Sequence, residues 1–203
     1  MLPRQVRVKF TKVGALQFIS HLDLNRTMKT VMIRAKIPIH YSEGFNPHPK
    51  MVFALPLSIG AESVCELLDF KIDEELTDKE IKKRLNNALP SEMQVIEAYQ
   101  PSSKFTDIAY AEYEIGTCES FDIGKLDEDT IVVTKRTKSG EKECDIKPLI
   151  KSYSKTDNGI VCVLSASPDD YLNPEYIAGI LGLKDYTIMR KRVVRKDGVS
   201  EFR

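Results

Sequence analysis

The sequence predicts an α+β protein in which a ferredoxin-like N-terminal domain precedes a second, degenerate α+β domain. In the first half, segments with the two-residue period of strands and the 3.6-residue period of helices follow in the order strand, helix, strand, strand, helix, strand. That order is the split βαβ arrangement, an antiparallel sheet with helices on one face. A polar segment that contains a proline, Gln100–Asp107, then precedes a second half of similar element order. We therefore expect domains at 1–100 and 108–203.

The first strand and helix follow from the spacing of apolar residues. Apolar and polar side chains alternate along Gln5–Thr11, as in a half-buried strand. Ser20 stands three residues before Asp23, the spacing of a capping box, so a helix should begin near His21 and end near Lys36, before Pro38. The core face of this helix has helical spacing and comprises Leu24, Met28, Val31 and Ala35. Other faces carry Arg26, Lys29 and Lys36.

The remaining elements of the first half are two strands, a helix and a final strand. They are predicted at Lys50–Leu55, Glu66–Ile72, Asp78–Leu89 and Met93–Tyr99. Thr77 and Glu80 form a second capping box, and Pro90 closes the helix that it opens. The expected core comprises Val8, Phe10, Leu24, Met28, Val31, Phe53, Leu68, Phe70, Ile81, Leu85 and Val95.

The second half reads as a strand, two hairpins, a short helix and a last strand. The strand is Tyr110–Ile115; the hairpins turn at Ser139–Gly140 and at Asp157–Gly159. Asn173 is the expected N-cap of a helix that ends at Gly182. The last strand, Tyr186–Lys196, is rich in lysine and arginine. The first helix of this half is poorly defined near Phe121–Leu126, which is why we describe the domain as degenerate.

Composition and cysteine spacing exclude several classes of protein. Cys65, Cys118, Cys144 and Cys162 are scattered with no CxxC pair, which argues against a zinc or iron–sulfur site and suits a reducing cytoplasm. No run is long enough to span a membrane, and the N-terminus has no apolar signal segment. We therefore expect a cytoplasmic protein with no cofactor, no bound metal and no membrane contact.

The net charge of zero conceals a strong asymmetry along the chain. Residues 1–60 carry nine lysines and arginines against two acidic side chains, a net charge of +7. Residues 61–130 have a net charge of −11, and residues 131–203 a net charge of +4. The two basic regions suit an anionic partner such as RNA. Alternatively, the acidic and basic blocks neutralise each other within the fold.

The segment Tyr41–Gly60 is the strongest candidate for a binding loop. Two X-Pro steps in NPHP remove backbone donors and hold Asn46 and His48 in extended or turn geometry. A rigid loop with polar side chains is costly to order unless its shape is used, although such groups also satisfy one another in structural loops. Together with the start of the first helix, it supplies the expected binding residues, which should converge in space. They are Ser20, His21, Asp23, Arg26, Tyr41, Ser42, Glu43, Phe45, Asn46, His48 and Lys50.

The sequence offers only weak candidates for catalysis. His21 and His48 have the chemistry of a general acid or base, and His48 lies between two prolines, where packing explains it least. Ser20, His21 and Asp23 are the residue types of a hydrolase triad, but helix capping explains them better. The chain has no nucleophile elbow and no phosphate-binding glycine loop.

Three long motifs carry a resemblance to a known family. FISHLDLNR (18–26), YSEGFNPHPK (41–50) and ALPLSIGAES (54–63) resemble the signature of the radical-SAM-linked protein family. Members of this bacterial family stand beside, or are fused to, B12-binding radical SAM proteins. The resemblance implies a radical SAM partner and no particular reaction. Lys36 departs from the family pattern, which usually has glycine there. The layout also resembles ferredoxin-like RNA-binding and RNA-processing proteins of CRISPR systems, an analogy of fold alone.

Two functions of different classes follow. The first, which the sequence favours, is a non-catalytic accessory module that presents RNA, or an RNA-associated substrate, to a radical SAM protein. The second is a histidine-dependent RNA-processing enzyme of ferredoxin-like fold that uses His21 or His48. Because the chain lacks a cysteine triad, it does not itself bind the radical SAM cluster.

Overall fold

The computed structural model describes residues 3–137, 140–167, 170–198 and 200–203. The chain combines α-helices with antiparallel strands and divides into two compact units. Unit 1 comprises residues 1–105 together with Arg203, and unit 2 comprises residues 106–202. None of the described helices is long and apolar enough to cross a membrane.

Unit 1 has a sheet in the strand order β4-β1-β3-β2, with every neighbouring pair antiparallel. A 3-10 helix, Gly14–Phe18, precedes the first α-helix. The elements in chain order are β1 Arg4–Lys12, α1 His21–Arg34, β2 Met51–Phe53, β3 Ala61–Ile72, α2 Asp78–Asn86 and β4 Val95–Tyr99. The predicted strand Met93–Tyr99 therefore does pair with the first strand, through Val8 opposite Ala98.

One face of this sheet packs against α1 and α2 to form the core of the unit. Strand β1 contributes Val6, Val8 and Phe10 to this core, as the alternation predicts. Helix α1 contributes Leu24, Met28, Val31 and Met32. Each such side chain contributes about 1.5–3 kcal/mol when fully buried. The predicted core residues are buried except Phe53, which is partly buried and packs against the cluster.

On the opposite face of the sheet, Arg7 departs from the half-buried pattern that the alternation predicts for β1. Arg7 has no exposed surface, and its guanidinium donates two hydrogen bonds to the Asp69 carboxylate, at 2.7 and 2.8 Å. It also donates to the Oγ and the carbonyl oxygen of Ser103, and it lies 4.3 Å from the ring centroid of Phe105. The segment predicted to be a linker thus covers Arg7. Alternation along one strand cannot reveal this, because the covering segment is distant in sequence.

Helix α1 ends in a Schellman motif that places Lys36 in an unusual conformation. Ala35 is the C-cap, the Lys36 N–H donates to Ile33, and the Ile37 N–H donates to Met32, both at 3.0 Å. Lys36 therefore adopts φ +52°, in the left-handed region that glycine occupies without strain. The helix ends two residues before the predicted boundary, because this motif and not Pro38 terminates it.

Unit 2 repeats the strand order of unit 1, with its sheet arranged β10-β5-β9-β8 and all pairs antiparallel. A 3-10 helix, Ile123–Leu126, stands where unit 1 has α1. The elements are β5 Ile108–Gly116, β6 Val132–Thr137, β7 Gly140–Asp145, β8 Ile150–Thr156, β9 Gly159–Ser165, α3 Glu175–Leu181 and β10 Thr187–Arg195. Strands β6 and β7 form a separate hairpin.

The turn and C-cap signals of the second half are confirmed, but the predicted N-cap of its helix is wrong by one residue. Pro174 is the N-cap of α3, and Asn173, one residue earlier, accepts a hydrogen bond from the Glu175 N–H. Gly182 is the C-cap, with φ +76°. The hairpin between β8 and β9 turns as expected, with Thr156 opposite Gly159. The first hairpin forms too, although Ser139 of its expected turn lies outside the described residues.

Three basic side chains of the last strand are either buried or paired with a carboxylate. Arg190 is buried, with 1% of its surface exposed. Arg192 forms an ion pair with Glu112 at 2.7 Å, and Lys191 forms one with Glu114 at 3.2 Å. Because β10 pairs with the acidic strand β5, the basic tail and part of the acidic middle neutralise each other. That the tail meets an anionic partner stays a prediction; Arg190 adds nothing to such a surface because it is buried.

Candidate functional site

Four of the expected binding residues surround the start of α1, and we call Ser20, His21, Asp23 and Arg26 the helix-start cluster. Ser20 caps the helix, since its Oγ accepts from the Asp23 N–H at 3.1 Å and donates to Asp23 Oδ2 at 2.7 Å. The other oxygen of Asp23 lies 3.4 Å from the Arg26 guanidinium. Both of these charged side chains are more than half exposed, so their pairing is weak and leaves them available to a ligand.

His21 is fixed at the edge of the core by an aromatic contact. Its ring meets the Phe53 ring edge-on, with centroids 5.2 Å apart and planes inclined by 79°. Phe53 in turn lies 6.4 Å from Phe10, which is completely buried. This chain of rings orients His21 while leaving it exposed on the surface. It also connects the helix start to β2, the strand that directly follows the second group of site residues.

The second group lies in the segment Tyr41–Lys50, which we call the proline loop, and this loop is stabilised by its own hydrogen bonds. Tyr41 and Pro49 form an isolated antiparallel bridge. The Ser42 N–H donates to the His48 carbonyl oxygen at 2.9 Å. The His48 N–H, which lies between two residues that lack a donor, donates to Ser42 Oγ at 3.1 Å. The loop is therefore ordered without being a helix or a strand.

The His48 imidazole takes part in the same network. Its Nδ1 lies 2.9 Å from Ser42 Oγ and 3.3 Å from the carbonyl oxygen of Asn46. Since a carbonyl oxygen only accepts, the tautomer that carries the proton on Nδ1 satisfies both contacts. In that tautomer Nε2 is an acceptor, and it forms no hydrogen bond with any described residue. The loop thus presents one ring nitrogen of His48 outward.

The tip of the proline loop exposes an aromatic side chain. Phe45 is fully exposed, and Tyr41 is 40% exposed. Gly44, directly before Phe45, has φ +119°, a conformation that a residue with a Cβ rarely adopts. Glu43, Asn46 and Lys50 are exposed around it. A benzene ring held in water on an ordered loop favours contact with another flat or apolar group.

The base of the proline loop is anchored to β3. The His40 N–H donates to the Lys71 carbonyl oxygen at 2.8 Å, and its Nδ1 lies 2.7 Å from an oxygen of Asp73. The Lys50 N–H donates to the His40 carbonyl oxygen at 3.2 Å. Both ends of the loop are thus fixed to the sheet. His40, which we did not select as a candidate, is the histidine with a carboxylate partner.

The third motif, residues 54–63, packs beside the turn that precedes α1. The Gly60 N–H donates to the Gln17 carbonyl oxygen at 3.0 Å. Lys12, with 2% of its surface exposed, donates from Nζ to the carbonyl oxygens of Gln17 and Ala61, at 3.2 and 3.3 Å. Sequence analysis missed Lys12, because a lysine in an alternating strand is ordinarily expected at the surface.

Three large apolar side chains near the helix start are exposed, and the sequence pointed to only one of them, Phe18. Leu22 and Ile59, which we did not consider, are about as exposed as Phe18. Leu22 stands off the core stripe of α1, and that position is the signal by which a helical projection would have found it.

The structure brings the expected residues into two groups and connects them indirectly. No hydrogen bond, ion pair or ring contact between described residues joins the helix-start cluster directly to the proline loop. The connection runs through Phe53, which contacts His21 and lies three residues after Lys50. Convergence of all eleven residues on one ligand therefore stays a prediction. Within the described ranges, no three His, Cys, Asp or Glu side chains are grouped so as to hold a metal ion.

Comparison with known proteins places the chain in a family. A family model described as "Uncharacterized protein conserved in bacteria (DUF2344)" matches residues 5–174. The match includes the helix-start cluster, the proline loop and most of unit 2, and it ends just before α3. No curated protein matches the chain. Because the family model matches more than half of its length, the chain belongs to the bacterial family DUF2344.

Proposed function

We propose that this protein is a cytoplasmic, non-catalytic accessory module that presents RNA, or an RNA-associated substrate, to a radical SAM protein. The observation that carries the proposal is the proline loop, which is held by the bonds between Ser42 and His48 and exposes Phe45 at its tip. Single-stranded RNA is bound by such exposed rings, on which bases stack, together with nearby cations.

The proposal also assigns unit 1 to the ferredoxin-like fold. The strand order β4-β1-β3-β2, with α1 and α2 packed on one face, supports that assignment. The radical SAM partner is proposed from the three sequence motifs alone. A contribution from charge is supported by exposed Arg26 and Lys50, whereas Arg7 and Lys12 are buried and take no part.

A binding titration with isolated RNA tests the proposal. The probe is a fluorescein-labelled single-stranded RNA of mixed sequence, followed by anisotropy at low salt. Phe45→Ala should weaken binding by about 1–3 kcal/mol, the value of one stacked base. Val52→Ala is the control, since Val52 is 57% exposed in the same unit but lies outside the proline loop.

The outcomes separate RNA binding from protein docking. Because salt weakens both kinds of electrostatic contact, salt dependence alone does not distinguish them. If the purified chain binds no RNA at low salt but does bind a B12-dependent radical SAM protein, the RNA part of the proposal is wrong and the docking part stands. If Phe45→Ala and Val52→Ala lose the same amount of RNA affinity, the proline loop has no specific part in binding.

A second candidate function is supported by the exposed ring nitrogen of His48. An imidazole oriented through Nδ1 is suited to proton transfer at Nε2, and His21 offers a second oriented imidazole. An RNA-processing enzyme of this kind should lose turnover, while still binding, in His48→Ala or His21→Ala. His40→Ala is the matched control. If wild type leaves RNA intact under all these conditions, this second function is excluded.

A further inference from the structure

A groove lies between the second half of α1 and the C-terminal end of α2, outside the proline loop. It has a volume of about 540 Å³ and is lined by Arg26, Thr30 and Arg34 on one side and by 87–90 on the other. A second hollow of about 320 Å³ continues it past Lys36 and Arg84. The two share Arg34, Asn87 and Ala88, so they adjoin each other, and we call them together the basic groove.

The lining of this groove is strongly basic. Its charged side chains are Arg26, Arg34, Lys36 and Arg84, and no carboxylate is among the residues that line it. Arg34 and Lys36 form no ion pair with any described residue. The chain as a whole has 30 acidic and 30 basic residues, so a lining of one sign does not follow from composition.

Helix stability accounts for only part of this arrangement. Arg34 and Arg84 lie in the last turns of α1 and α2, where a cation interacts favourably with the helix dipole. Lys36 lies beyond α1, with φ +52°, where glycine is free of strain. Strained residues of this kind cluster at functional sites, where the side chain has a use.

We propose that this groove binds a row of phosphates in the backbone of single-stranded RNA. Arg26 and Arg34 are eight residues apart, which corresponds to about 12 Å along the helix axis, a span that suits several anions in a row. No aromatic side chain lines the groove, so contacts there are with backbone and independent of sequence. The inference rests on the proposed function, because the same strand would place its bases at Phe45.

The groove favours a nucleic acid over an acidic protein. Protein interfaces are centred on large apolar or aromatic anchors. The exposed large apolar side chains of the described chain, among them Phe18, Leu22 and Phe45, lie outside the groove lining. An acidic protein partner is therefore an outcome that the test must detect.

The test compares the salt dependence of RNA binding in two double variants of the full chain. Arg34→Gln with Lys36→Gln removes two groove cations. Lys79→Gln with Lys83→Gln makes the same change of charge at exposed positions of α2 outside the groove. The probe is the same fluorescein-labelled single-stranded RNA. Since each phosphate contact on a single strand contributes about 0.7 to the slope of log affinity against log salt, the groove variant should lose about 1.4 from that slope.

The possible results of this test distinguish the groove inference from the proposed function. A smaller slope in the groove variant only, with equal weakening across RNA sequences, supports the inference. If both variants keep the wild-type slope while Phe45→Ala still weakens binding, the groove inference is wrong and the proposed function stands. If wild type binds no RNA at low salt, the groove inference and the RNA part of the proposed function are both wrong. Binding of an acidic protein, with no binding of RNA, overturns the choice of ligand.

Discussion

Replacing Lys36 by glycine should leave this protein more stable than replacing it by alanine, although glycine removes more of the side chain. Lys36 occupies the C′ position of the Schellman motif with φ +52°. For a residue with a Cβ, the left-handed conformation costs roughly 1–2 kcal/mol, because the Cβ crowds the following carbonyl oxygen. Glycine relieves that strain, and both hydrogen bonds of the motif remain available because they come from the backbone.

The gain is reduced by the flexibility of glycine in the unfolded chain. Adding glycine costs about 0.4–1 kcal/mol of conformational entropy on folding. Losing the lysine charge near the end of α1 costs a further 0.3–1 kcal/mol, roughly, at low ionic strength. Lys36→Ala shares the loss of charge but keeps the Cβ, so the two variants should differ by on the order of 1 kcal/mol in favour of glycine.

Urea denaturation followed by circular dichroism measures this difference. The comparison is between the free energies of unfolding of Lys36→Gly and Lys36→Ala, with wild type as reference. If the alanine variant is as stable as the glycine variant, the left-handed conformation carries no strain and the reasoning fails. The same Lys36→Gly protein should bind RNA more weakly than wild type, because it lacks a groove cation. Such a result would indicate that this position exchanges stability for binding.

Four further predictions concern buried and capping groups. Asp69→Ala should destabilise the protein by about 3–5 kcal/mol in urea denaturation, because it leaves the Arg7 guanidinium buried without its carboxylate; a loss below 1 kcal/mol, roughly, would contradict the buried ion pair. Ser20→Ala should cost about 1 kcal/mol of stability through loss of the N-cap, and Ser20→Thr should restore most of it. Burial raises the pKa of the Cys162 thiol to about 12, so at about pH 8 a thiol reagent should modify exposed Cys118 and leave Cys162 intact until urea unfolds the chain. Above the ordinary thiol pKa of 9.0 and up to about 12, the thiol of Cys162 ionises only in the unfolded chain, so its contribution to stability should fall as pH rises through that window, measurable as a decreasing urea midpoint.

The type and order of the elements could be predicted from the sequence, because they depend on local spacing. The stripe from Leu24 to Val31 fixed the buried face of α1, and the capping residues Ser20 and Thr77 marked where both helices of unit 1 begin. The two prolines of NPHP likewise identified an irregular, ordered loop before its hydrogen bonds were known.

The exposure of the charged side chains could not be predicted in this way, because it depends on segments that are distant in sequence. Arg7 reads as a surface residue of an alternating strand, yet 101–105 covers it, and Arg192 reads as a free cation, yet it pairs with Glu112. The basic groove is lined both by the end of α1 and by residues 87–90, which lie about fifty residues further along the chain. The periodic spacing of apolar residues indicates on which face of its helix or strand a side chain lies. Whether water, a carboxylate or another segment lies there is determined by packing.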